Sequence, residues 1–304
     1  MITRRTSFLR HFVMKQFACI IILLLTPLLG KGAENDQTLV LPRKNEPVQN
    51  RYRILTDHYD ITAQRVDDAI LAGKRLEHLF RVWTMLFDDY VPKIDNKPEQ
   101  YRHHVVIFRD KGEYNRELLP IEPFIERTNG FYCAKEKTIY CYSTEAKVLF
   151  HEGTHQIFEE HFFRGRTPSF RYNFWAVEGI AGFMETLKIE EHSYKVGDIM
   201  ADKLFAAKKY QFDLRYYMPM RRLTALNRQA IQSNTETIRI YSQSTALVHW
   251  LFFAEGGRYR KHLFELLQQA YLDTAKPETL SELTGLSYDE LDKKYGEFLK
   301  TIPD

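Results

Sequence analysis

The sequence lacks internal repeats and low-complexity tracts, and it holds only three cysteines among its 304 residues. These absences exclude repeat architectures and scaffolds held together mainly by disulfides. What remains is 44% hydrophobic and 27% charged, the composition of an ordinary globular protein. The length suits one large domain or two small ones.

There is also no surplus of basic residues outside the N-terminal segment. The whole chain has 43 Lys and Arg against 40 Asp and Glu, a formal charge of +3. Residues 1–33 contain five of the basic residues and no acidic one, so the rest of the chain carries a formal charge of −2. The charge balance therefore gives no reason to expect a nucleic-acid partner.

One apolar run stands out, from Phe17 to Gly30, and a basic segment precedes it. A run of about fourteen residues is too short to span a bilayer comfortably and is typical of a secretory signal peptide. We predict a signal peptide over 1–33, a polar linker over 34–50, and a secreted, periplasmic or cell-envelope protein. An uncleaved N-terminal anchor is the alternative, and Met14 is a second possible start.

The two cysteines outside this leader, Cys133 and Cys141, lie in the stretch GFYCAKEKTIYCY. This stretch predicts a β-hairpin over 130–142 that turns around Lys135–Lys137. A three-residue turn would place the two cysteines opposite each other. The sequence leaves a disulfide and two buried free thiols equally open.

Hydrophobic patterns predict an α+β fold in which a small mixed sheet is followed by a mainly helical half. The α/β part, residues 51–145, contains strands at 52–55, 105–108 and the hairpin, with an amphipathic helix over 66–86. The helical part, residues 146–304, begins with a helix over 146–163 and a second one around 173–185. Further helices are predicted at 199–207, 219–232, 238–254, 258–272, 279–283 and 287–300.

The helix predicted over 146–163 contains the pentad His151-Glu152-Gly153-Thr154-His155, an H-E-x-x-H motif. Residues i and i+4 of a helix lie on the same face, so His151 and His155 can reach one metal ion. Zinc peptidases use this arrangement, with the Glu acting as a base beside the metal. The alternative is a solvated helix that carries two histidines by chance.

A hydrolytic zinc site needs a third protein ligand and one open position. Glu178, at the start of the second helix, completes a His-His-Glu set. His161 would need a sharp turn after His155, and Phe158 stands where a glycine would allow one. On a continuous helix His161 lies about 15 Å from His151 along the axis, so we prefer Glu178. Glu185 is either an acceptor for a ligand imidazole or a surface carboxylate.

The pentad, followed by W-A-V-E-G-I-A-G-F-M-E at 175–185, resembles the gluzincin clan of zinc metallopeptidases. The pattern around Glu178 is similar to that of the aminopeptidase N and leukotriene hydrolase family. A closer resemblance is to bacterial secreted proteins of the peptidase MA-like, domain-of-unknown-function type, over residues 51–304. The resemblance implies a zincin-like catalytic domain in which His151, His155 and Glu178 bind zinc and Glu152 is the catalytic base.

Two differences from the aminopeptidase family are visible. The spacing between His155 and Glu178 is longer, and GFYCAKEKTIYCY replaces the G-x-M-E-N strand that supplies an anchor for the substrate's amino terminus. Aminopeptidase specificity is therefore not assumed.

Hydrolysis also needs a hydrogen-bond donor for the developing oxyanion. Tyr241 in RIYSQSTALVHWL resembles the tyrosine that such families carry, and a neutral phenol donates at pH 7. The alternatives are a packed Tyr241 or donation by His249. We predict a secreted zinc metallopeptidase acting on peptides or proteins. A non-catalytic peptide- or surface-binding module and hydrolysis of a non-peptide bond are the competing hypotheses.

Overall fold

The computed structural model describes residues 21–22, 51–90, 101–162 and 166–303. The predicted signal peptide and linker therefore lie outside the described residues, apart from Ile21 and Ile22. Within the described ranges, no helix has both the length and the apolar character needed to span a bilayer.

The sheet is small and mixed, as the sequence predicts. Its strands run in the order β1-β2-β3-β4-β6-β5. Strands β3, β4 and β6 are parallel to one another, whereas β1, β2 and β5 pair antiparallel with their neighbours. Strand β5 therefore forms one edge. The strands are β1 (Ile21–Ile22), β2 (Tyr52–Leu55), β3 (Tyr59–Ala63), β4 (His103–Ile107), β5 (Gly130–Cys133) and β6 (Thr138–Cys141).

The α/β part also contains helices α1 (Val66–Phe87) and α2 (Lys111–Leu118) and two short 3-10 helices, Asp88–Tyr90 and Ile125–Arg127. Helix α1 confirms the amphipathic helix predicted at 66–86, because its apolar face is buried. Helix α2 and strand β3 were not predicted. The Asp110 side chain caps α2 by accepting a hydrogen bond from the Glu113 backbone N–H.

The remaining described chain is mainly helical, as predicted, with one small hairpin that the sequence analysis missed. The predicted helix at 219–232 is two helices, because Asn227 starts a new one and its side chain accepts from the Ala230 N–H. The elements are α3 (Ala146–Phe162), α4 (Phe174–Met184), β7 (Lys188–Ile189), β8 (Tyr194–Lys195), α5 (Asp202–Phe212), α6 (Met220–Thr224), α7 (Arg228–Gln232), α8 (Thr237–Gly257), α9 (Arg260–Tyr271), α10 (Thr279–Thr284) and α11 (Tyr288–Thr301).

One hydrophobic core joins the sheet to the helical half. Its buried residues extend from Ile54 on β2 to Ile302 after α11. Aromatic side chains connect α1 to α3, for example Trp83, whose ring is 5.4 Å from that of Phe158. This continuous packing fixes α3, the helix with the H-E-x-x-H pentad, against both the sheet and the other helices.

The expectation that Cys133 and Cys141 face each other is wrong. Residues 134–137 form the turn, so Cys133 pairs with Thr138 and Cys141 pairs with Gly130 at the other end of the hairpin. Both cysteines are free thiols. They also lie in two different hydrophobic clusters, because an offset of three residues places them on opposite faces of the sheet.

Candidate metal centre

Helix α3 presents the two histidines of the pentad on one face. The Nε2 atoms of His151 and His155 lie 3.2 Å apart, and both side chains are partly exposed. The opposite side of α3 is buried in the core. The i, i+4 spacing therefore aims both imidazoles away from the core at one point, as the sequence predicts.

Glu178 on α4 brings a carboxylate to the same point. Its Oε2 atom is 3.4 Å from His151 Nε2 and 3.7 Å from His155 Nε2. Zinc with ligand distances of about 2.0–2.1 Å requires ligand atoms about 3.3–3.4 Å apart in a tetrahedron. The three observed separations are close to that value. His151, His155 and Glu178 thus form a group that can hold a metal ion.

The position of Glu178 depends on close packing of α4 against α8. A Cβ atom at Gly179 would lie 2.6 Å from the backbone oxygen of Ser244 on α8. Only glycine permits this approach, because any side chain at this position would collide with the α8 backbone. Glu178, one residue before Gly179, is itself buried at 5% exposure.

The segment before α4 is also fixed. The Asp273 carboxylate accepts hydrogen bonds from the backbone N–H groups of Ser169 and Phe170 and from the Arg166 guanidinium. Asn173, in the left-handed conformation, starts α4, and its backbone N–H donates to the Thr224 carbonyl. These contacts determine where α4 begins. No motif in the sequence indicates them.

Glu185 contacts the Nδ1 side of His151, the ring edge away from the candidate metal position. Its Oε1 atom is 2.6 Å from His151 Nδ1 and 2.5 Å from Lys203 Nζ on α5. A carboxylate that accepts from the second ring nitrogen fixes the imidazole's orientation and leaves Nε2 for a metal. The structure therefore selects the acceptor role for Glu185 over a surface role. The involvement of Lys203 was missed, because nothing in its local sequence indicates it.

The histidines and carboxylates of the site shift one another's pKa. Burial alone would lower the pKa of His151, but hydrogen bonds to Glu178 and Glu185 raise it to about 10. Burial would raise the pKa of Glu178, but the charge of His155 and the imidazole hydrogen bonds bring it well below its usual range. The carboxylates therefore stay ionised and draw positive charge to the site, as a site for a divalent cation requires.

Glu152 follows His151 on α3 and reaches the edge strand of the sheet. Its Oε2 atom accepts a hydrogen bond of 2.9 Å from the backbone N–H of Tyr132 on β5. A Cβ atom at Gly130 would lie 2.9 Å from Cγ of Glu152 and 2.7 Å from Val148. Gly130 thus lets α3 approach β5 closely enough for Glu152 to reach the edge strand.

Tyr241 on α8 lies at the metal group and not in a separate part of the core. Burial raises its pKa well above 10, and the charge and hydrogen bond of Glu178 add to this effect. Its hydroxyl is therefore neutral and lies next to Glu178. His249, the alternative donor, is directed elsewhere. Its Nε2 lies 3.0 Å from the Gly197 carbonyl oxygen, and its ring stacks on Phe298.

His161 does not join the group. Its Nδ1 lies 2.7 Å from the carbonyl oxygen of Ile157, one turn earlier on α3. The side chain is buried, and its ring centroid is 4.6 Å from that of Trp83. The prediction that His161 is no ligand agrees with this placement. His161 lies in the last turn of α3 and its side chain also belongs to the aromatic core.

Comparison of the sequence with models of known protein families finds no match, and comparison with curated proteins finds none either.

Proposed function

We propose that this protein is a zinc-dependent metallopeptidase of the gluzincin type, with a zincin-like architecture, that acts outside the cytoplasm. The observation that carries the proposal is the meeting of His151, His155 and Glu178 at the spacing a tetrahedral ion requires. Two imidazoles and one carboxylate leave one position for water, which is the ligand set of hydrolytic and not of structural zinc sites.

The roles of the residues follow from their positions. A zinc ion held there would supply an activated water and polarise the carbonyl of the bond to be cut. Glu152, next to His151 and partly exposed, would take the proton of the attacking water and deliver it to the leaving nitrogen. The hydroxyl of Tyr241 would donate to the developing oxyanion. Glu185 would hold the His151 ring in place.

The proposed role of Glu152 distinguishes a hydrolase from a protein that only binds peptides. A binding module has no need for a general base, whereas hydrolysis by an activated water requires one. Glu152→Gln keeps the shape and removes the base, so it should keep the metal and lose most peptide cleavage. The measurement is chelator-sensitive cleavage of a mixed peptide library by the wild type and by this variant.

Three outcomes are distinguishable. Cleavage that depends on both metal and Glu152 supports the peptidase. Peptide binding without cleavage would favour a non-catalytic module on the same scaffold. A metal-bound protein that neither cleaves nor binds peptides would favour hydrolysis of another kind of bond, since the ligands alone do not fix the substrate.

A further inference from the structure

A lysine shares the carboxylate oxygen that contacts His151. The Oε1 atom of Glu185 lies 2.6 Å from His151 Nδ1 and 2.5 Å from Lys203 Nζ. The side chain of Glu185 is 16% exposed and that of Lys203 is 28% exposed, so water screens this contact only in part. The imidazole and the ammonium therefore compete for the lone pairs of one carboxylate oxygen.

The packing of α4 makes room for this lysine. Gly182 precedes Glu185 by three residues, which places both on one side of α4. A Cβ atom at Gly182 would lie 3.2 Å from Lys203 Nζ and would collide with the hydroxyl oxygen of Thr245 on α8. The absence of a side chain at Gly182 thus lets the ammonium lie against α4, beside Glu185.

The first turn of α5 is an unfavourable place for a lysine. The N-terminus of a helix is the positive end of its dipole, which stabilises acidic side chains and destabilises cations. Asp202 in the same turn suits this position, and it pairs with Lys147 on α3 at 2.7 Å. That pair is exposed and contributes little to stability. The Lys203 ammonium is instead directed inward, so its favourable partner is Glu185 and not its own helix.

The charge of Lys203 opposes the effect of Glu185 on His151. A carboxylate that accepts from Nδ1–H makes an imidazole more basic, and hence a stronger metal ligand through Nε2. An ammonium on the same oxygen weakens that hydrogen bond, and its positive charge also repels a nearby divalent cation. A cation held less strongly by its ligands keeps more of its charge to polarise a carbonyl group.

We propose that Lys203 is a positioning residue that acts through Glu185, and that it weakens the binding of the metal ion so that the ion keeps more charge for the substrate. This inference rests on the proposed function and adds a residue to it. A purely structural ion pair has the opposite consequence, because its loss would loosen Glu185 and weaken metal binding. The sign of the change in metal affinity therefore separates the two roles.

The test is competition for Zn²⁺ between the metal-free protein and a chromophoric chelator. Lys203→Met keeps the length of the side chain and removes its charge, so it should bind Zn²⁺ roughly 10-fold more tightly than the wild type, the lower end of what contacts around a ligand imidazole change. Lys203→Gln also removes the charge and should shift affinity in the same direction. It replaces the methionine variant if that variant does not fold.

Two variants serve as controls. Lys203→Arg keeps the positive charge and should bind Zn²⁺ as the wild type does. Lys147→Met removes the exposed ammonium that pairs with Asp202 and should also leave the affinity unchanged, since its pair does not contact a candidate ligand.

The NMR signal of the His151 Nδ1–H proton in the zinc-loaded protein gives an independent readout. Without a competing ammonium, the hydrogen bond from Nδ1 to Glu185 becomes stronger. The proton resonance should therefore move downfield in Lys203→Met and stay in place in Lys203→Arg and Lys147→Met. An upfield shift in Lys203→Met would show that Glu185 has left His151, as a structural role requires.

The possible results separate the two proposals. Zinc affinity that is unchanged or weaker without the Lys203 charge, or that rises equally in Lys203→Arg or Lys147→Met, would overturn the role of Lys203 and leave the metal centre standing. A folded wild-type protein that binds no Zn²⁺ would refute the proposed function, and the role of Lys203 with it.

Discussion

Replacing Glu178 by Gln tests the metal centre with little change in shape. The glutamine fills the same volume, but it exchanges a buried anion 3.4 Å and 3.7 Å from the two imidazole nitrogens for a neutral amide. Zinc sites in proteins bind with about 10–16 kcal/mol of apparent free energy. One of three protein ligands accounts for about a third, or about 3–5 kcal/mol, which corresponds to a roughly 10²- to 10⁴-fold weaker zinc affinity.

The assay is competition for Zn²⁺ between the metal-free protein and a chromophoric chelator of known affinity. His161→Ala is the matched control, because it removes a histidine from the same helix. It should lower the thermal stability, since His161 packs against Trp83 in the core, but it should leave zinc affinity unchanged. A large loss of affinity in His161→Ala with none in Glu178→Gln would refute the assignment of the third ligand.

Three further predictions concern the residues around the ligands. Tyr241→Phe should keep zinc and lower turnover about 10²- to 10³-fold, and unchanged turnover would remove Tyr241 from the mechanism. In the metal-free protein, the pKa of His151 is raised from 6.5 to about 10. Protonated His151 therefore stabilises the folded state fully below pH 6.5, and this stabilisation is lost as the pH rises through about 10. NMR should therefore find this imidazole protonated at pH 8, and a midpoint near 6.5 would contradict the coupling to the carboxylates. Gly130→Ala should slow peptide cleavage without releasing zinc, because the new Cβ displaces Glu152; equal cleavage rates would show that this contact does not matter.

The parts of the fold that the sequence predicts are those with long or repeated patterns. Hydrophobic periodicity predicted three features that the structure contains. They are the amphipathic helix α1, the hairpin β5–β6 and the helices of the second half. The α6–α7 break at Asn227 was missed, although an asparagine at a helix start is a visible cap signal. Strand β3 was missed because its run is short and contains Asp60, whose carboxylate pairs with Arg53.

The candidate metal-binding group could be predicted because the spacing of its residues along helices determines their geometry. The i, i+4 rule places His151 beside His155, and a carboxylate early in the next helix is the expected partner. The contributions of Lys203 and Asp273 could not be predicted in this way. Lys203 contacts Glu185 from α5, and Asp273 fixes the segment before α4 from after α9, so both contacts depend on packing between segments that are distant in sequence.

The metal content of the purified protein, measured by elemental analysis after dialysis against trace zinc, tests the central claim most directly. We expect one zinc ion per chain in the wild type, and far less when His151, His155 or Glu178 is replaced. A well-folded wild-type protein that retains no divalent metal would contradict the account.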